Sequence, residues 1–124
     1  MNFLYVFIGG GIGAVARYGV TLATGRVTGS SFPWHTLSVN LIGALLIGGL
    51  TEFLALRVSP VEPARLFLVT GILGGFTTFS AFSLESAMMW EKGDYATLAV
   101  YVAVSVVGTL AAALGGGAAM RAVL

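Results

Sequence analysis

The chain has 124 residues, of which 57% are hydrophobic and 9% charged, with a formal net charge of +1. Soluble globular proteins carry about 25% charged residues, so there is too little polar surface here to coat a soluble core, and the apolar solvent the composition demands is lipid. The charge balance offers no cationic footprint for nucleic acid, and with no cysteine neither a disulfide framework nor a thiolate metal site can form.

The first apolar run, Phe3 to Ala23, reads as a membrane helix. Met1 to Ala16 contains no Lys or Arg, whereas a secretory signal opens on a basic region, so the pattern predicts a retained span. Its one charge is Arg17, either a cation that draws anions into a vestibule or an interfacial anchor. A connection with Gly, Ser and Pro turn signals, Thr24 to Pro33, leads to the second run, Trp34 to Leu56, whose charge is Glu52. His35 near its end has no second histidine beside it in the sequence. It therefore reads as a vestibule or interface residue rather than a metal ligand, and could make the mouth pH-sensitive. Arg57 to Arg65, with Pro60 and Pro63, precedes the third run, Leu66 to Trp90, which holds Glu85. Glu91 to Asp94 then leads to the fourth, Tyr95 to Met120, which is uncharged. Each run exceeds or matches the roughly 20 apolar residues that cross a hydrocarbon core, and none alternates as barrel strands do. The expected fold is all-α: one four-helix transmembrane domain over 1–124, with spans at about 3–23, 34–56, 66–90 and 95–120.

Topology follows the Lys and Arg asymmetry between the two faces, and here there is almost none. Both termini and the second connection share a face bearing Arg57, Arg65 and Arg121; the other bears Arg26 and Lys92, plus Arg17 if it snorkels outward. That balance predicts insertion in both orientations, and hence an antiparallel homodimer of inverted copies. A single orientation fixed by subtler cues is the plain alternative.

Within the third run, Gly74-Gly75-Phe76-Thr77-Thr78-Phe79-Ser80-Ala81-Phe82-Ser83 combines glycines and β-branched threonines that weaken a helix. Thr78 is its centre, so a third helix broken at the bilayer midplane is expected. Unsatisfied backbone is tolerated there only beside protein, a cavity or an ion, and discontinuous helices often expose carbonyls to Na⁺. The bland reading is close packing, because Gly71 and Gly75 form a small-xxx-small pair. At about 1.5 Å per residue, Asn40 and Phe82 fall at nearly one depth. Tyr101, Ser105 and Thr109 recur every fourth residue as one polar stripe, and Thr36, Asn40, Ala44 and Gly48 form a matching line. Polar groups inside a membrane usually face a bundle interior or a water-filled path, so the two stripes suggest a track. Phe79 and Phe82 share a side and would ordinarily be packing. Ring edges are positive, however, and beside the Asn40 amide they could replace part of an anion's water shell.

At these residues the sequence resembles the Fluc/CrcB family of fluoride ion channels along essentially its whole length. The carrying motifs are Gly9-Gly10-Gly11-Ile12-Gly13-Ala14 with Arg17-Tyr18, Phe32-Pro33-Trp34-His35-Thr36-Leu37-Ser38-Val39-Asn40-Leu41-Ile42-Gly43, and the string from Gly74 to Glu85. The resemblance implies a dual-topology dimer with two pores in a bacterial-type inner membrane. It also implies passive F⁻ export that relieves cytoplasmic fluoride toxicity, and a structural Na⁺ at the dimer axis. By motif, the Gly74 and Thr77 carbonyls look like the sodium donors. Phe79 and Phe82 look like the pore rings, and Asn40 like the polar group that meets the ion or orients them. Ser80, Ser83, Thr36, Tyr101 and Ser105 are similar to the family's polar track. Glu85 looks like the carboxylate beside it, expected to be hydrogen-bonded by protein donors or protonated; its plain alternative is an interfacial cap. Ala81 stands where Thr is common, and His35 where Gly is common.

A small dual-topology multidrug exporter would need an acid in the first span, which has Arg17 instead. A non-transporting membrane subunit would need neither break nor stripes. An enzyme is not expected, since no nucleophile elbow, His-rich metal site or phosphate loop is present.

Overall fold

The computed structural model describes residues 1–28 and 31–124, with 26–28 described as backbone only. Gly29 and Ser30 of the expected first connection, and the side chain of Arg26, lie outside the described residues. Helix α1 spans Asn2–Thr28 and α2 spans Trp34–Arg57. The third span opens as α3 over 62–76: a first turn Glu62–Ala64, a wide π-helical stretch Arg65–Leu73, and a last turn Gly74–Phe76. It resumes as α4, Phe79–Glu91, and α5 spans Tyr95–Val123. The four spans Asn2–Gly25, Trp34–Arg57, Glu62–Glu91 and Tyr95–Val123 are long and apolar enough to cross a membrane. The third begins earlier than expected, because Pro63 sits in the first helical turn, where its missing N–H leaves nothing unsatisfied.

Little of the apolar surface is inside. The buried hydrophobic side chains are Leu37, Val39, Leu54, Leu73 and Tyr101, while Phe3, Phe7, Val107 and Leu114 are exposed, the reverse of a soluble core and the pattern of a surface that faces lipid. What holds the helices together is close backbone approach. A Cβ on Gly13 would collide with the Ile72 carbonyl oxygen, and one on Gly75 with that of Gly10, so α1 and α3 meet through glycine. Gly48 and Gly116 do the same for α2 and α5, against Ala113 and Leu45. Small residues permit such contact where no hydrophobic force separates helix from lipid. Gly71 and Gly75 are thus packing residues, and Gly48 belongs to this seam rather than to a polar line.

The backbone departs from helix at Thr77 (φ −83°, ψ 160°) and Thr78 (φ −153°, ψ 118°). Gly74 and Gly75 themselves are helical. The departure is held by side chains. Thr77 closes α3 with its N–H and its Oγ1 both donating to the Leu73 carbonyl at 3.0 Å. Thr78 caps α4, its Oγ1 accepting from the Ala81 N–H at 3.1 Å, a role in which threonine is favoured.

Candidate functional site

Asn40 on α2 faces Thr78 and grips its peptide from both ends: Nδ2 donates to the Thr78 carbonyl at 3.0 Å, and Oδ1 accepts from the Thr78 N–H at 2.8 Å. In an uninterrupted helix that N–H would donate to Gly74, and the Ala81 N–H to Thr77. Asn40 Oδ1 and Thr78 Oγ1 take their place. The carbonyls of Gly74 and Thr77 at the end of α3 therefore lack their helical donors, and backbone carbonyl oxygens freed in this way are the type of ligand a hard cation takes.

On one side of Thr78 lies a cavity of about 320 Å³ bordered by Asn40, Thr77, Phe79, Phe82, Ser105 and Thr109. The two phenylalanine rings are 5.5 Å apart, centroid to centroid, and Phe82 is 5.1 Å from the ring of Tyr101. Phe79 is 78% exposed and Phe82 half-buried. Tyr101 is fully buried, held in a T-shaped contact with Phe32 at 5.5 Å. Ser105 is 7% exposed, and its buried hydroxyl finds no hydrogen-bond partner among the described residues. A buried orphan hydroxyl is costly; at the wall of a cavity it is a donor in waiting. Thr109 turns its hydroxyl back onto the Ser105 carbonyl at 2.6 Å.

Thr36, Glu85 and Tyr101 form a cluster further along. Thr36, 1% exposed, places its hydroxyl 2.6 Å and 3.0 Å from the two Glu85 carboxylate oxygens, and Tyr101 directs its own at Oε1 from 3.5 Å. Glu85 is thus met by protein donors and is no terminal cap. His35 Nε2 lies 3.4 Å from Oε2 of the same carboxylate, a neighbour that the sequence did not disclose, since 50 residues separate the two in the chain. On the other side of Thr78, a second cavity of about 280 Å³ is bordered by Arg17, Tyr18, Thr21, His35, Thr36 and Ala81. A third, of about 260 Å³, opens past His35, Glu85 and Lys92.

The expected residues are therefore only partly assembled. Asn40, Phe79, Phe82 and Ser105 share one cavity, and Thr36 and Arg17 another. Ser80 and Ser83 are exposed, with hydroxyls turned to Thr78 Oγ1 (3.2 Å) and the Phe79 carbonyl (3.0 Å). Two further features escaped the sequence reading. The Thr78 cap had a signal, a hydroxyl residue ahead of an apolar run; the Asn40 grip is purely tertiary.

Residues 4–117 match the family described as "CrcB-like protein, Camphor Resistance (CrcB)". The chain belongs to the CrcB family. Among relatives of this CrcB chain, a protein of Rhodopseudomonas palustris (strain BisB5) is 43% identical over 123 residues, covering 99% of each chain. One of Agrobacterium fabrum (strain C58) is 47% identical over 94% of this chain and 93% of its own, and one of Methylobacterium nodulans 47% identical over 100% and 96%. Each is named a fluoride-specific ion channel FluC, a channel rather than an enzyme. Four apolar helices in a CrcB chain make it a multi-pass integral membrane protein. With bacterial relatives and helical spans, its membrane is the inner one, since outer-membrane proteins span by β-barrels.

Proposed function

We propose that this CrcB protein is a fluoride-selective channel that lets F⁻ leave the cell passively, and that it works as an antiparallel pair of identical chains with two pores. The observation that carries the reading is the cavity beside the third span, where Phe79, Phe82, Asn40 and the unpartnered hydroxyl of Ser105 meet. A small anion leaving water needs donors to replace its shell. Hydroxyl hydrogens and positive ring edges supply them without binding so tightly that the ion cannot leave. The positive end of α4, beginning after Thr78, adds a favourable partial charge. Thr36 and Tyr101 extend the row of donors toward the mouth, where Glu85 takes their hydrogen bonds. Ser80 and Ser83 would join the path only where a partner chain approaches them, and Arg17 would gather anions from the α1 side.

An inverted second copy would cover what one chain leaves bare, including the Phe79 ring and Gly74, both exposed. With the span inserted, the extended Thr77 and Thr78 fall near the bilayer midplane. There the carbonyls of Gly74 and Thr77 from both copies would hold a structural Na⁺, which supplies positive charge for oxygen atoms that otherwise lack donors in a dry setting. A multidrug exporter or a non-transporting subunit is not favoured by any feature of the site.

The test is fluoride efflux from vesicles holding the purified Phe82→Ile protein, followed with a fluoride electrode. Isoleucine keeps bulk and removes the ring edge. Efflux should fall about 100-fold or more if the edge replaces a substantial share of the ion's water shell, while the protein still elutes as a dimer; wild-type efflux would remove the ring from the mechanism.

A further inference from the structure

His35 stands on the first turn of α2 with its imidazole between two cavities, bordering both the one that holds Arg17 and Thr36 and the one that opens past Lys92. Its pairing with Glu85 is what separates it from an ordinary helix-end residue. Glu85 Oε2, 3.4 Å from His35 Nε2, is also 3.0 Å from the Thr36 hydroxyl. One carboxylate is therefore shared between a donor that stays neutral and a ring that changes charge. The histidine side chain is 39% exposed and the glutamate 17%. Protons thus reach the imidazole from water, while the carboxylate is dehydrated enough for its charge to be felt along the path.

The charged and titratable groups facing His35 among the described residues come from every helix around it. From α1 there are Arg17 and Tyr18, from α4 Glu85 and, just past its end, Lys92, and from α5 Tyr101 behind Glu85. The two cations oppose a third positive charge and Glu85 favours it; only Glu85 is paired with the ring.

We infer that His35 is a proton-responsive positioning residue for Glu85, raising anion passage as pH falls. The imidazolium pairs with the carboxylate and cancels its negative charge at the mouth. Histidine is the side chain that changes charge between about pH 5 and 8, so the response belongs in that window. The inference rests on the fluoride-channel reading.

Fluoride efflux from vesicles holding the full chain at about pH 8 and about pH 5.5 tests it, after subtracting leak of neutral HF from protein-free vesicles. Wild type should be roughly three- to tenfold faster at the lower pH, the effect of one unit charge at a partly hydrated mouth. His35→Gln and His35→Gly should each give a flat profile. A flat wild-type profile, or a response that persists without the histidine, overturns the inference while leaving the channel reading intact. Absence of fluoride efflux at both pH values would overturn the channel reading instead. The sequence has one histidine, so its imidazole resonance reads the pairing independently of transport. That resonance should shift at fixed pH in Glu85→Gln, and an unmoved resonance overturns the pairing.

Discussion

Asn40 commits both ends of its amide to the Thr78 peptide, and this one side chain explains why the backbone there can leave the helix without an orphaned N–H. Aspartate is nearly the same size but has no donor, so Asn40→Asp sets a carboxylate oxygen against the Thr78 carbonyl. Leaving a buried acceptor unpaired costs about 1–3 kcal/mol, and the repulsion adds to it. The purified variant should unfold at a lower temperature than wild type in the same detergent, and an unchanged transition would mean that Asn40 does not hold the break. At this scale the sequence disclosed positions better than partners. Polar residues recurring every fourth position on the second and fourth spans mark Thr36, Asn40 and Ser105 as a track, because a polar side chain in an apolar run has few places to go. That Asn40 binds backbone, and that Glu85 sits between Thr36 and His35, depends on contacts across 38 to 50 residues of chain, which no local pattern encodes.

At the scale of the helices, the four spans were legible because lipid imposes its length on apolar runs, and their bounds differ by a few residues at most except where Pro63 starts the third span early. The π-helical stretch Arg65–Leu73 was not legible, since a wider hydrogen-bond pattern leaves no mark on composition. Gly74 and Gly75, which weaken a helix in sequence, are helical, and the backbone takes extended dihedrals at Thr77 and Thr78 instead. The glycine freedom is used for contact with α1, and the β-branched pair leaves the helix because its hydroxyls supply a stop and a cap. Direction of insertion also belongs to the helices. Arg57, Arg65 and Arg121 on one face are matched by Lys92 and Arg26 on the other, and Arg121 is already engaged by Glu52. With so little bias, a C-terminal tag should be reached by a membrane-impermeant label from both sides of intact membranes. Labelling confined to one side would contradict the antiparallel pair.

At the scale of the whole molecule, composition established a membrane protein, and glycine seams explain how helices without a conventional core pack together. One chain still leaves the Phe79 ring, Gly74 and two serines exposed on the surface. The proposed inverted second copy would cover them. What permeates was not readable from hydropathy or spacing, because hydroxyls and ring edges suit any small anion; the family resemblance and relatives named fluoride-specific ion channels support the proposal of fluoride. The direct measurement is therefore ion efflux from vesicles holding the wild-type protein, with fluoride and chloride electrodes run in parallel on the same preparation. The account predicts rapid loss of fluoride with chloride retained at the level of protein-free vesicles. Equal loss of both ions, or no fluoride loss beyond protein-free vesicles, would contradict it.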